Sequence, residues 1–185
     1  MISPASRPSL SEKMDKTSAS RLLDWIDGRP PWQFVAILYG ARWVALAPIM
    51  ALSHFVFAES QKSAASTPEE WSQGSAVGLF LGLVLIPPLL ETLVECSLPY
   101  WIISSVRDYR TNRPKRCWGF VAVSACVMAV LHPMLAALLP ALITGAFLAY
   151  CYAHFAPSGI WKAILATTVF HGAINMVGWT MLVLA

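Results

Sequence analysis

Residues 77–103 read VGLFLGLVLIPPLLETLVECSLPYWII, an apolar stretch whose only charged members are Glu91 and Glu95. The hydrocarbon core of a bilayer is about 30 Å thick, and an α-helix needs roughly 20 mostly apolar residues to cross it. The stretch meets this length, and its two carboxylates do not interrupt the apolar pattern. The sequence therefore predicts a transmembrane helix here.

The rest of the chain has the same apolar character. Of its 185 residues, 57% are hydrophobic and 12% are charged, whereas soluble domains average about 45–50% apolar and about 25% charged residues. Further apolar stretches cover residues 33–57, 117–155 and 160–185. The stretch 117–155 is too long for one span, and Pro133 and Pro140 are expected to interrupt it because proline lacks a backbone N–H. We expect an all-α, polytopic membrane bundle of about five transmembrane helices, one of them broken or re-entrant.

The N-terminal segment differs from the remainder. We expect residues 1–32 to form a cytoplasmic tail and residues 33–185 to form the membrane domain. Residues 1–30 are polar and mixed in charge, so they do not resemble a cleavable signal peptide, and the first span is expected to act as the anchor. Within the tail, residues 20–27 (SRLLDWID) place apolar side chains between charges and predict a short interfacial helix. A disordered tail is the alternative interpretation.

The distribution of Lys and Arg predicts the orientation in the membrane. Residues 1–32 and 107–116 are rich in both, whereas residues 58–76 hold only Lys62. Positive residues favour the cytoplasmic side. We therefore expect the N-terminus and residues 107–116 in the cytoplasm, residues 58–76 outside, and the protein in the cell membrane. This topology explains the net charge of +3, which requires no nucleic-acid partner.

A few polar residues interrupt the apolar stretches. They are Arg42, Glu91, Glu95, His132, His171 and Asn175. Each charged residue at the centre of a transmembrane helix costs roughly 2.5–3.5 kcal/mol on insertion scales. Residues four apart on a helix project from the same face, so Glu91 is expected to share a face with Glu95, and His171 with Asn175. These spacings predict that three helices direct polar groups into one pocket.

The same residues could instead have structural roles in helix packing. A single His or Asn inside the membrane often hydrogen-bonds one helix to another. Glu91 follows Pro87 and Pro88, and it could satisfy backbone groups that the prolines leave free. The occurrence of all these polar residues together favours a functional site. His54 and His154 lie near the ends of apolar stretches and are expected at the membrane interface.

The polar set suggests hydrolytic chemistry. A carboxylate that faces imidazoles in a dry pocket can accept a proton from water, while imidazole and amide donors stabilise the resulting oxyanion. Glu91, His132 and His171 could instead bind zinc and leave one coordination position open. The sequence alone does not separate these alternatives. It contains no HExxH or GxSxG motif, and the only acids within its spans are glutamates, which excludes a two-aspartate site.

Three short motifs occur in a defined order. They are ETLVEC at residues 91–96, MAVLH at residues 128–132 and HGAIN at residues 171–175. Together they resemble the CAAX prenyl protease and bacteriocin-processing family of intramembrane endopeptidases, whose patterns are EExxxR or a variant with ET, then FxxxH, then HxxxN. The resemblance covers about residues 80–180. It implies a protease that hydrolyses a peptide bond of a membrane-associated protein or peptide.

The resemblance also implies a role for each matching residue. Glu91 would activate water, His132 would assist it, and His171 with Asn175 would form the oxyanion site. The resemblance leaves metal dependence open; we expect a metal-free glutamate mechanism without a cofactor, with a divalent metal such as zinc as the alternative.

The chain departs from the family pattern at several positions. Thr92 replaces the second Glu, Cys96 stands where Arg or Gln is usual, and Met128 replaces the Phe of the second motif. Glu95 is an additional acid without a family role. We expect it to form a buried ion pair with Arg42, the basic residue deep in the first span.

Two other functions fit parts of the sequence. A catalytically inactive relative could use the same pocket as a membrane scaffold or immunity protein. A proton-coupled transport subunit could relay protons between Glu91 and His171, but such proteins are built from inverted repeats. The sequence has no visible repeat. The ordered motifs favour the protease.

Overall fold

A computed structural model describes the backbone of residues 18–64, 75–105, 113–132 and 135–184. All regular structure in these ranges is helical, and they contain no strand. The helices are α1 (Ser18–Asp27), α2 (Pro31–Ala64), α3 (Ala76–Ser105), α4 (Arg113–Leu131), α5 (Leu135–Phe155) and α6 (Ile160–Leu184). The all-α fold predicted from the sequence is confirmed.

Four of these helices are long and apolar enough to cross a membrane. The qualifying segments are Pro31–Leu52, Ala76–Ser105, Ala137–Ser158 and Ile160–Met181. The apolar part of α4, Trp118–Leu131, is shorter than the roughly 20 residues that a full span needs. Of about five predicted transmembrane helices, four therefore reach full length and the fifth does not.

Apolar side chains on the outer surface of α3 agree with a lipid environment. Leu89, Leu90 and Trp101 are all exposed, and Trp101 keeps 70% of its accessible surface. A water-soluble protein of this size would rarely leave such large apolar surface uncovered. The exposed apolar surface is thus the surface that hydrocarbon chains would cover.

The long apolar stretch at residues 117–155 divides as predicted, although only one of its two candidate breaks is used. Helix α4 ends at Leu131 and α5 begins at Leu135, with His132 at the bend between them. The prediction that Pro140 interrupts the stretch is wrong, because Pro140 lies inside α5. Membrane-spanning helices tolerate an internal proline because neighbouring helices and side chains can satisfy the backbone carbonyl that it leaves free.

Helices α4 and α5 pack closely at Gly145. A Cβ atom on this residue would lie 2.8 Å from Cβ of Met128 and 2.9 Å from Cα of Ala125. Only glycine therefore permits the observed approach of the two helices. The contact fixes the last turn of α4, which carries His132, against α5.

An aromatic cluster joins α3, α4 and α5. The ring of Tyr100 lies 5.4 Å from that of Phe120 and 5.4 Å from that of Tyr152, measured between centroids. Phe120 and Tyr152 are fully buried. Aromatic pairs in such geometries contribute about 0.5–1.5 kcal/mol each beyond their buried area. The cluster therefore stabilises the three-helix contact.

The chain divides into two compact units, Met1–Ile37 and Leu38–Ala185. In the first, α1 confirms that residues 20–27 are helical, and the guanidinium of Arg29 lies 3.9 Å from the centroid of the Trp25 ring. Residues 1–17, 65–74 and 106–112, with half of the basic residues that predict a cytoplasmic location, lie outside the described residues. So does the side chain of His54, whereas His154 is half-buried near the end of α5.

Candidate functional site

The middle of α3 is not a regular α-helix. Its α-helical parts, Ala76–Phe80, Ile86–Glu91 and Leu98–Ser105, are separated by π-helical segments at Leu81–Leu85 and Thr92–Ser97. A π-helix bonds each carbonyl to the N–H five residues ahead instead of four, and such segments often occur at functional sites. Glu91 is the last residue between the two π segments.

The first π segment leaves one carbonyl without a partner in its own helix. The C=O of Leu83 would bond residue 87 in an α-helix and residue 88 in a π-helix, but both are prolines and have no N–H. The side-chain amide of Asn175 instead donates to this oxygen, at 3.0 Å from Nδ2. Since a carbonyl only accepts hydrogen bonds, the amide nitrogen must face it. Asn175, rather than Glu91, satisfies the backbone group that the prolines leave free.

Gly172 lets α6 approach the same region of α3. A Cβ atom at this position would lie 2.8 Å from the carbonyl oxygen of Val84. Further along, the indole of Trp179 donates to the carbonyl of Ala76 at 3.2 Å. Later residues of α6 thus contact earlier residues of α3, so the two helices are antiparallel. This packing sets His171 and Asn175 against the centre of α3.

A pocket of about 220 Å³ lies at this centre. Five polar residues predicted from the sequence line it, namely Arg42, Glu91, His132, His171 and Asn175. The remaining lining residues are Met128, Ala137, Pro140, Ala141, Thr144 and Ile174. Helices α2, α3, α5 and α6 and the end of α4 all contribute. The structure therefore brings together Arg42 and the four residues to which catalytic roles were assigned.

Glu91 and His171 are in direct contact in the pocket. His171 Nε2 lies 3.3 Å from Glu91 Oε2, and the side chain of Glu91 is 29% exposed whereas that of His171 is 3% exposed. The other ring nitrogen of His171, Nδ1, is buried and has no hydrogen-bond partner in the described structure. A neutral ring protonated at Nε2 satisfies this geometry, because it donates to the carboxylate and leaves only a lone pair at Nδ1.

His132 is held by its own helix end. Its Nδ1 lies 2.9 Å from the carbonyl oxygen of Met128. The carbonyl can only accept, so Nδ1 carries the hydrogen and a neutral ring keeps Nε2 as an acceptor. This tautomer is set by the end of α4, where the chain bends immediately after Leu131. His132 thus offers the pocket an acceptor rather than a second donor.

Arg42 enters the pocket from α2. Its Nε donates to Oγ1 of Thr144 at 3.1 Å, and its guanidinium carbon lies 4.7 Å from the centroid of the Trp43 ring. The residue is only 7% exposed. Its Nη1 is buried and has no hydrogen-bond partner in the described part of the chain.

The predicted ion pair between Arg42 and Glu95 is wrong. Glu95 is 1% exposed, and within the described ranges neither of its carboxylate oxygens has a hydrogen-bond partner. It does not line the pocket. The π-helical turn between Glu91 and Glu95 changes the direction in which Glu95 projects relative to a regular α-helix, and only Glu91 lines the pocket. Arg42 bonds Thr144 instead.

Thr92 also lies away from the pocket. It is 1% exposed and its hydroxyl has no hydrogen-bond partner among the described residues. Its backbone carbonyl accepts a hydrogen bond from the hydroxyl of Ser97 at 3.3 Å. Thr92 therefore belongs to the buried side of the second π segment, as does Glu95.

Comparison with known proteins adds no assignment. No family model, curated protein or solved structure matches the chain. The resemblance to the CAAX protease family rests on the three motifs and their order.

Glu91, His132 and His171 are the residues that would bind zinc in the metal-dependent alternative. The described residues contain no group of three His, Cys, Asp or Glu side chains that could hold a metal ion. His132 contacts Met128, and His171 and Glu91 contact each other.

Proposed function

We propose that the protein is an intramembrane endopeptidase that hydrolyses a peptide bond of a membrane-associated protein or peptide. The contact of 3.3 Å between Glu91 and His171 in a pocket among apolar helices carries this proposal. General-base catalysis requires a carboxylate that is oriented by a neighbour and within reach of a water molecule. The pocket volume of about 220 Å³ far exceeds the roughly 10–15 Å³ that one water needs.

The proposed reaction begins with proton transfer to Glu91. The carboxylate accepts a proton from water as the water oxygen bonds to the substrate carbonyl carbon, and the carbonyl electron pair moves to oxygen. Collapse of this tetrahedral intermediate re-forms the carbonyl and breaks the C–N bond. The leaving amine takes the proton from Glu91. His171 orients the Glu91 carboxylate. Nε2 of His132 accepts a hydrogen bond from the second O–H of the water, whose proton stays on that oxygen and becomes the proton of the new carboxylic acid.

A non-catalytic membrane scaffold or immunity protein is the alternative function. It is favoured by the hydrogen bond between Asn175 and Leu83, because that bond gives one of the four candidate catalytic residues a purely structural task. Such a protein would need the helix contacts around the pocket but not the basicity of Glu91. The two functions therefore differ in how they respond to loss of that single carboxylate.

The proposed orientation has the N-terminus and residues 107–116 in the cytoplasm, with the protein in the cell membrane. Its support is the excess of Lys and Arg in these segments over residues 58–76. A substrate anchored in the same bilayer would then reach the pocket from the side, among the membrane-spanning helices. No cofactor is part of the proposal.

The decisive experiment replaces Glu91 with Gln. Glu91→Gln keeps the size of the side chain but removes its ability to accept a proton, so kcat should fall by about 10² or more. The assay is cleavage of a quenched-fluorescent apolar peptide in proteoliposomes. Wild-type rates in the Glu91→Gln protein would contradict the proposal and favour the scaffold.

Glu95→Gln is the matched control for this experiment. It makes the same chemical change on the same helix, but Glu95 lies outside the pocket. Activity should be retained. The melting temperature should not fall, because the carboxylate has no partner to lose. Breaking a buried ion pair would instead cost about 3–5 kcal/mol.

A further inference from the structure

Arg42 is an ionised hydrogen-bond donor of the pocket, and it has no role in the steps of the proposed reaction. Arg42 is more than nine-tenths buried, and it lines the pocket together with Glu91 and His171. Its Nη1 is buried without a hydrogen-bond partner in the described structure. Burying a guanidinium N–H without an acceptor is unfavourable. A new negative charge in the pocket would be attracted by this buried guanidinium.

The other donors of the pocket are already engaged. The Nε2 of His171 lies against Glu91, and Nδ1 of His132 lies against the carbonyl of Met128. Asn175 directs one amide hydrogen to Leu83, which leaves a single neutral donor on that residue. A hydrogen bond from an ionised donor is roughly twice as strong as one between neutral groups. Arg42 is therefore the strongest donor that these contacts leave available to a new negative charge.

We propose that Arg42 is the catalytic residue that binds the oxyanion of the tetrahedral intermediate. This inference rests on the proposed peptide hydrolysis. As water adds to the carbonyl carbon, the carbonyl electron pair becomes a negative charge on oxygen, and a terminal N–H of the Arg42 guanidinium, which lines the pocket, donates to it. When the C–N bond breaks, that pair returns to the carbonyl and the hydrogen bond weakens. No proton leaves the guanidinium, because arginine side chains stay protonated in proteins.

The surroundings of Arg42 hold the guanidinium in place before the reaction. Thr144 accepts from Nε on one side, and the Trp43 ring lies 4.7 Å from the guanidinium carbon. A planar guanidinium fixed at Nε has the directions of its terminal N–H groups fixed as well. Donors that are oriented in advance stabilise developing charge without reorganisation, and removing one such donor typically lowers kcat by about 10²–10³.

The test uses Arg42→Gln and Arg42→Lys on two versions of one quenched-fluorescent apolar peptide, one with a free C-terminal carboxylate and one amidated. Oxyanion binding predicts that kcat falls by about 10²–10³ for Arg42→Gln on both peptides, while KM changes little. Arg42→Lys should recover only part of kcat, because an ammonium lacks the planar fork. A rise in KM confined to the free carboxylate would show that Arg42 binds the peptide terminus, and it would overturn the inference. So would unchanged kcat in Arg42→Gln.

Thr144→Val keeps the test decisive if the Arg42 variants fold poorly. It removes the acceptor of Arg42 Nε and retains the charge, so kcat should fall, by less than the about 10²–10³ expected on loss of the donor itself. The melting temperature should fall modestly, because Nε–H loses its acceptor. Unchanged kcat in Thr144→Val would overturn the inference. Glu91→Gln, measured in parallel, separates the two proposals. If Glu91→Gln is inactive and Arg42→Gln is active, only the role of Arg42 fails; if Glu91→Gln is active, hydrolysis at this site fails.

Discussion

Asn175 is a polar residue of α6 whose side chain satisfies a backbone group of the neighbouring helix α3. The carbonyl of Leu83 faces prolines at both positions from which its own helix could supply an N–H, and the Asn175 amide replaces them. An unsatisfied carbonyl in hydrocarbon costs several kcal/mol. This structural task is independent of any chemistry in the pocket, so loss of Asn175 alone does not identify a catalytic residue.

Asn175→Leu should therefore lower stability. It leaves the Leu83 carbonyl without a partner, at a cost of about 1–3 kcal/mol, and Asn175→Asp should be no better, since an ionised carboxylate cannot donate. Thermal unfolding in detergent measures both. Pro87→Ala restores an N–H four residues after Leu83 and should recover part of the stability of Asn175→Leu. An equal effect of Pro87→Ala in the wild type and in Asn175→Leu would show that the hydrogen bond does not couple the two residues.

The five predicted residues of the pocket could be found from the sequence because each is a strongly polar residue in an otherwise apolar stretch. His171 and Asn175 lie on a regular α-helix, so their spacing of four placed both correctly in one pocket. Glu91 and Glu95 have the same spacing, but only Glu91 lines the pocket, because the π-helical turn between them changes the direction of Glu95. The partners of Arg42 were not predictable either, because Thr144 looks like any small residue of an apolar helix.

The π segments of α3 were missed, although the sequence contains a signal for the first. Pro87 and Pro88 in succession remove two neighbouring N–H groups from the hydrogen-bonding pattern of the helix. Carbonyls in this segment then accept from the N–H five residues ahead, as the carbonyl of Leu81 does from the N–H of Ile86. Paired prolines within an apolar span therefore indicate a local change of helix type.

Gly172 is the position at which the packing of α3 and α6 can be tested. A methyl group there would lie 2.8 Å from the carbonyl oxygen of Val84, so Gly172→Ala should push α6 away and disturb His171. We expect a loss of stability of about 1–3 kcal/mol, as for other overpacked contacts, together with reduced cleavage. Gly178→Ala is the control on the same helix. It meets nothing within 4 Å and should be neutral or slightly stabilising, since Ala favours helix by about 1 kcal/mol over Gly. Equal effects of the two changes would contradict the packing argument.

At the scale of the whole molecule, the short apolar part of α4 explains how His132 can line the same pocket as Glu91 and His171. If α4 crossed the full bilayer, His132 at its end would lie near one surface, far from the centre of α3. The apolar part of α4 is shorter than a span, and His132 lines the same pocket as Glu91 and His171. Helix length and the break at His132 together place the end of α4 at the level of the pocket.

The orientation of the molecule remains a prediction from charge, and reporter fusions test it. A reporter at residue 108 should read cytoplasmic and one at residue 69 should not, because Lys and Arg are concentrated in residues 1–32 and 107–116. Changing the basic residues of 107–116 to Gln should weaken the cytoplasmic signal at residue 108, since charge bias and not span length is its proposed cause. Replacing Lys162 with Gln is the control, because one charge near a helix end should not outweigh two clusters. A cytoplasmic signal at residue 69 with none at residue 108 would reverse the proposed orientation.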